Sequence, residues 1–94
     1  NVFGRSFVTG LGYLPAKLPH HRPSEADAVV APWPGLLVGG ANGGKDDDPV
    51  KLARNAASMP AGLVWFDESG SYGTNEVAIN WNTALAYALA GFYK

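Results

Sequence analysis

The sequence predicts an all-α chain made mostly of loops and closed by one C-terminal helix. Sustained 3.6-residue periodicity occurs only near the end, where Val77, Trp81, Leu85, Ala88 and Phe92 recur at steps of three or four. Ala78, Ala84 and Leu89 fill the same broad face. Everything before about Thr74 is dominated by Gly, Pro and short apolar runs, with 12 Gly and 7 Pro in 94 residues. One helix cannot bury its own apolar stripe, so the expected fold needs further helices to cover it. Structureless loops longer than about 15 residues are uncommon in compact domains unless they carry function.

Taken in chain order, Arg5-Ser6-Phe7-Val8-Thr9 and Leu36-Leu37-Val38 are short apolar stretches bounded by Gly or Pro and read as extended segments or irregular loop cores. Between them, Pro32-Trp33-Pro34 presents a rigid ring, read mainly as a plug for the loop and left out of the site. The Gly39 to Asp48 run reads as a flexible surface turn. After Trp65 a polar loop leads to the helix, for which Thr74 or Asn75 is the expected N-cap. No internal repeat and no low-complexity tail is visible.

Composition excludes several classes of partner. A net charge of -1 with seven scattered basic residues gives no cluster for nucleic-acid phosphates. With 0 Cys there is neither a disulfide framework nor thiolate chemistry, which leaves the compartment open. No apolar run is long enough to cross a bilayer, so no membrane partner is expected. Gly39-Gly40-Ala41-Asn42-Gly43-Gly44-Lys45-Asp46 comes near a phosphate-binding loop. The Ser or Thr that would hold magnesium is replaced by Asp46, with Asp47 and Asp48 behind it, and these would repel a phosphate.

Two longer patterns carry the functional reading. From Ser6 to Arg22 the chain reads S-x-V-T-G-L-G-Y-L-x4-P-H-x-R, and from Trp65 to Thr83 it reads W-x-D-x4-Y-x3-E-x-A-x3-N-T. Together, in this order, they resemble glycoside hydrolase family 9, the inverting cellulases built on an (α/α)6 barrel. The Arg22 to Asp27 and Pro32 to Gly40 stretches also look like the loop between these signatures in bacterial members. Nearly the whole chain falls inside the resemblance. It departs from the pattern at Leu14, where Lys, Arg or Asn is usual.

The resemblance implies that residues 1–94 form the C-terminal portion of the catalytic domain: long active-site loops plus the closing helix of the barrel. The Asp-rich motif of the catalytic base is absent here, so the base is expected from the N-terminal remainder of the same domain. Secretion to the cell exterior is likewise implied by the family.

Inverting hydrolysis needs one carboxylic acid to protonate the leaving oxygen and one carboxylate to activate water. Glu76 matches the family's general acid and is expected at the helix start, buried against Tyr72 and Trp81. There the helix dipole favours the ionised form, whereas an acid must carry its proton. Burial and the negative field of Asp67 would offset the dipole. Asp67 matches the family's second acidic position and is expected to assist by holding local geometry or tuning charge; alone, it would read as the cap of a turn.

His20 and Arg22 match the His-x-Arg that the family uses to contact the sugar beside the scissile bond, as hydrogen-bond donors. Tyr72 and Trp81 are candidates to line the sugar subsite, with core packing the competing reading for Trp81. His21 is assigned no chemistry.

No cofactor is required for this chemistry, and no metal ligand is assigned. Many family members bind structural calcium, and Asp46, Asp47 and Asp48 are the available oxygens. Their spacing is not that of an EF-hand loop, and a solvated acidic turn is the favoured reading. The function expected is hydrolysis of β-1,4-glucosidic bonds in cellulose or a related β-glucan. The alternatives are an exo-acting cellobiohydrolase or β-glucosidase of the same family, and a noncatalytic glycan-binding module using Trp33, Tyr72 and Trp81.

Overall fold

The structure, a computed structural model, describes residues 1–53 and 55–93, so the last position of the expected 1–94 segment lies outside the described residues. Four helices are present among the described residues: α1 (Arg22–Ala26), α2 (Asp48–Leu52), α3 (Tyr72–Asn75) and α4 (Ile79–Ala90). Two single 3₁₀ turns, Ala56–Ser58 and Ala61–Leu63, follow α2. Most of the described residues are irregular, and among them only α4 exceeds two turns, so the helical character resides in that element.

The two stretches read as extended meet each other. Val8 and Leu37 form an antiparallel bridge, flanked by hydrogen bonds from Thr9 N–H to Leu36 C=O at 2.9 Å and from Val38 N–H to Phe7 C=O at 2.9 Å. Thr9 is fully buried there, its hydroxyl donating to Trp33 C=O and accepting from Leu36 N–H.

The buried apolar side chains among the described residues form two small clusters. Ala16, Val38 and Trp65 are buried together, with Phe3, Phe7, Ala41 and Val77 packed against them. The rings of Phe3, Phe7 and Trp65 meet edge to face, Phe7 and Trp65 with centroids 4.8 Å apart. The Trp65 indole N–H is satisfied by Gly39 C=O at 3.1 Å. Val50, Ala56 and Val64 form the second cluster beneath α2.

Three sequence expectations change. First, the acidic run is not a solvated turn: Asp47 is buried and N-caps α2, accepting from Val50 N–H at 3.1 Å, while Asp46 and Asp48 remain exposed. Pro49 sits within the first turn of α2, where its missing N–H has no intrahelical partner to lose. Second, Arg22–Ala26 is helical, N-capped by His21, whose Nδ1 accepts from Ser24 N–H.

Third, the long helix begins later than its periodicity indicates. Its N-cap is Ala78, with no side-chain cap, and neither Thr74 nor Asn75 fills that role. Glu76 to Ala78 is extended because its backbone groups are drawn into bridges on two sides. Among the described residues none of α4 is buried, and Ile79, Tyr87 and Phe92 at its faces and end are more than four-fifths exposed. The apolar stripe is therefore present and uncovered by the elements of this segment. No helix among the described residues is long and apolar enough to cross a membrane.

Candidate active site

The site is organised around the extended link between α3 and α4. On one side His20 bridges Glu76 in parallel, with His20 N–H bonded to Asn75 C=O at 2.9 Å and Val77 N–H to His20 C=O at 3.2 Å. On the other side Val38 bridges Val77 antiparallel, and Gly39 N–H donates to Glu76 C=O at 2.8 Å. Glu76 thus occupies the middle of a three-stranded patch, its main chain held from both edges.

Alternation along an extended chain sends neighbouring side chains to opposite faces. Val77 packs into the first apolar cluster, and Glu76 lines an open cavity of about 260 Å³ together with Gly39, Asn42, Tyr72 and Trp81. The expected burial of Glu76 against the two rings is not found. Glu76 is exposed, and Tyr72 and Trp81 are themselves 49% and 41% exposed. The link turns the carboxyl outward, away from the cluster that takes Val77, and the rings flank the opening without covering it. Three positions before the first residue of α4, Glu76 is also not the helix-start residue the pattern suggested.

Gly39 is the floor beneath Trp81. A Cβ there would lie 3.1 Å from Trp81 Cζ3 and 3.3 Å from Thr74 C=O, so only hydrogen fits without displacing the ring.

His20 is half-buried, and its Nδ1 lies 2.6 Å from Ser69 C=O. A carbonyl only accepts, so Nδ1 carries the proton. The neutral ring then presents Nε2 as an acceptor and the protonated ring presents it as a donor. The ring stands edge-on to Tyr72 at 6.1 Å. Arg22, at the start of α1, is exposed, and its guanidinium has no hydrogen bond or ion pair among the described residues.

Asp67 is committed to the loop that leads to His20. Its carboxylate accepts from Arg5 Nη2 at 2.8 Å, from Lys17 N–H at 2.9 Å, from Leu18 N–H at 2.9 Å and, at a longer 3.4 Å, from Asn75 Nδ2. Asn75 is buried and donates also to Leu18 C=O at 2.7 Å. Asp67 and Asn75 therefore fasten residues 17 and 18 just ahead of His20.

A second carboxylate supports α3. Asp47 Oδ2 accepts from Gly73 N–H at 2.9 Å and Ser71 Oγ at 3.1 Å. Because Ser71 donates to Asp47, the 2.6 Å contact between Ser71 and Thr74 is a donation from Thr74 Oγ1, which in turn accepts from Phe66 N–H. The relay runs from the segment after Trp65, through α3, to the cap of α2.

Trp33 lies off this cavity. Its indole N–H bonds Asp27, and its ring meets His21 edge-on at 5.4 Å. The Val29 amide, and then the Trp33 indole, hold the Asp27 carboxyl below its ordinary value.

Sequence reasoning missed Arg5, Asp47, Asn75 and Asn82 as organisers of the site. Only Asn82 had a signal, its place in the second pattern; the others act through partners remote in sequence. No group of three or more His, Asp or Glu side chains placed to hold a metal occurs among the described residues.

Known proteins resemble the chain in sequence and fold. The family model described as Glycosyl hydrolase family 9 matches residues 1–89. The chain is 49% identical over 92 residues to endoglucanase D of Acetivibrio thermocellus, an alignment covering 98% of this chain and 12% of that protein. It is 47% identical over 85 residues to a xyloglucan-specific endo-beta-1,4-glucanase of Bacteroides ovatus, covering 90% of this chain and 14% of the relative. The crystal structure of a single mutant of the thermostable endoglucanase from Alicyclobacillus acidocaldarius matches with a TM-score of 0.87 at 41% identity, over 97% of this chain and 17% of that one. The chain spans less than a fifth of the length of these proteins.

Proposed function

The chain belongs to glycosyl hydrolase family 9, and on that premise we propose that it supplies the general-acid side of an inverting β-1,4-glucanase. The substrate is cellulose or a related β-glucan, and xyloglucan enters that class through the specificity named for the Bacteroides ovatus relative. The segment is the C-terminal part of an (α/α)6 barrel catalytic domain acting outside the cell. Its uncovered α4 face packs against the N-terminal remainder, which also supplies the base.

One observation carries the reading: Glu76 is displayed on a link clamped at both edges, at the mouth of a cavity flanked by Tyr72 and Trp81. In the mechanism Glu76 gives its proton to the glycosidic oxygen as the bond to the anomeric carbon breaks. The base removes a proton from water attacking the opposite face, at about 6.5–9.5 Å from the acid so that the water fits between.

Tyr72 and Trp81 offer apolar ring faces to the pyranose, and His20 and Arg22 bind hydroxyls of the sugar next to the scissile bond. Asp67 assists from behind, keeping the His20 loop in place through Lys17 and Leu18. No cofactor takes part.

In the complete enzyme, Glu76→Gln is expected to lower turnover on unactivated glucan by about 10²–10⁴-fold. The wild-type product should emerge with inverted anomeric configuration, followed by proton NMR. Near-normal turnover in the variant, or a retained configuration in the wild type, would overturn the assignment.

A further inference from the structure

Asn82 stands at the point where the clamped link passes into α4, and its side-chain amide makes three hydrogen bonds. Oδ1 accepts from Leu37 N–H at 2.8 Å, and Nδ2 donates to Leu37 C=O at 3.0 Å and to Ala78 C=O at 3.0 Å. A carboxamide carries the same donor and acceptor as a peptide group. Facing both polar groups of Leu37, it does for that residue what one more strand residue would do.

Leu37 belongs to the segment whose Gly39 N–H holds Glu76 C=O, and whose Val38 bridges Val77. The ladder on that edge therefore runs from Glu76 through Val77 and, where the main chain turns away into the helix, is completed by a side chain. The bond to Ala78 C=O ties the same amide to the end of the link. α4 has no side-chain cap at Ala78, so Asn82 is the side chain that fixes the angle between link and helix. The preceding residue, Trp81, is thereby held over Gly39.

We propose that Asn82 is a positioning residue for Glu76, acting through the backbone register of the Glu76 to Ala78 link and, by the same contact, setting the Trp81 ring. The proposal rests on Glu76 as general acid. Its consequence is specific to proton donation: a misplaced acid slows departure of a poor leaving group and hardly affects one that leaves without a proton.

The test compares two substrates in the complete enzyme. One is an unsubstituted cello-oligosaccharide, whose sugar alkoxide must be protonated; the other is dinitrophenyl β-cellobioside, whose phenolate leaves unaided. Asn82→Leu removes all three bonds at similar volume. Asn82→Asp keeps the acceptor for Leu37 N–H but sets oxygen against two carbonyls, and serves if the leucine variant does not fold.

For either folded variant kcat on the oligosaccharide is expected to fall about 10- to 100-fold, the scale of an ångström of misplacement, with less than about threefold loss on the aryl glycoside. Equal losses on both substrates, or no loss on either, would overturn the role. Glu76→Gln is measured alongside. If it lacks the same leaving-group selectivity, the general-acid reading itself fails; if it shows the selectivity and the Asn82 variants do not, only the positioning role fails.

Discussion

Arg5 and Asp67, separated by 62 positions in the chain, meet in a 2.8 Å ion pair that joins the first loop to the segment following Trp65. The guanidinium lies over the Trp65 ring at 4.6 Å and donates also to Pro15 C=O at 3.2 Å. Ring, carboxylate and carbonyl together hold the Arg5 side chain in one place. The same carboxylate fastens Lys17 and Leu18, so the position of His20 depends on a residue fifteen positions before it.

Replacing Arg5 should loosen this loop. Both side chains are mostly shielded, and Arg5→Met is expected to cost about 2 kcal/mol, as for a hydrogen bond between charged groups, measured by urea unfolding of the complete enzyme. Arg5→Lys keeps the charge but lacks the planar fork that stacks on Trp65 and reaches two acceptors. It should recover less than half of the loss.

Asp47 is expected to matter for stability more than an acidic surface turn would. Asp47→Ala removes the α2 cap and leaves Gly73 N–H and Ser71 Oγ without their acceptor, a loss of about 2–4 kcal/mol. Both oxygens of Asp47 are engaged by protein donors. The fall in Tm should therefore be the same in calcium and in EDTA. A fall seen only in calcium would move Asp47 to a metal site.

At Gly39 the added methyl of Gly39→Ala would press on Trp81 and on the Thr74 and Glu76 carbonyls. Displacing a stacking ring is worth about 0.5–1.5 kcal/mol, and KM for cello-oligosaccharides should rise up to about tenfold. A lower kcat should accompany it, because the Glu76 link is displaced as well. Steady-state kinetics of the complete enzyme read both.

Leu14, the one departure from the first signature, has φ of +42° and is half-exposed. The left-handed region costs an L-residue about 1–2 kcal/mol and is best tolerated by Gly and Asn. Leu14→Asn should therefore raise Tm slightly, corresponding to about 0.5–1 kcal/mol, with activity unchanged. A fall in Tm would mean that Leu14 contributes packing that outweighs the strain.

Much of this was legible from local order. The apolar steps from Val77 to Phe92 mark α4, because helical periodicity is a property of neighbouring residues. The Gly- and Pro-rich stretches mark loops for the same reason. The two extended segments, Arg5 to Thr9 and Leu36 to Val38, were visible separately, whereas their pairing required the fold. The start of α4 was misread because Glu76 to Ala78 has helical periodicity but is bridged to His20 and Val38, and those hydrogen bonds outweigh the local preference.

By itself the sequence determined the family, the candidate residues of the site and the loop-then-helix plan, since the two signatures and the periodicity are written in consecutive residues. Only the tertiary structure decided which way each group faces and what holds it. Glu76 turns outward because two neighbouring segments clamp its backbone; Asp67 serves the His20 loop because Lys17 and Leu18 turn their amides toward it. Asp47 is buried because Ser71 and Gly73 fold over it. Each of these depends on hydrogen bonds between residues more than ten positions apart, and such bonds leave no periodic trace in the chain.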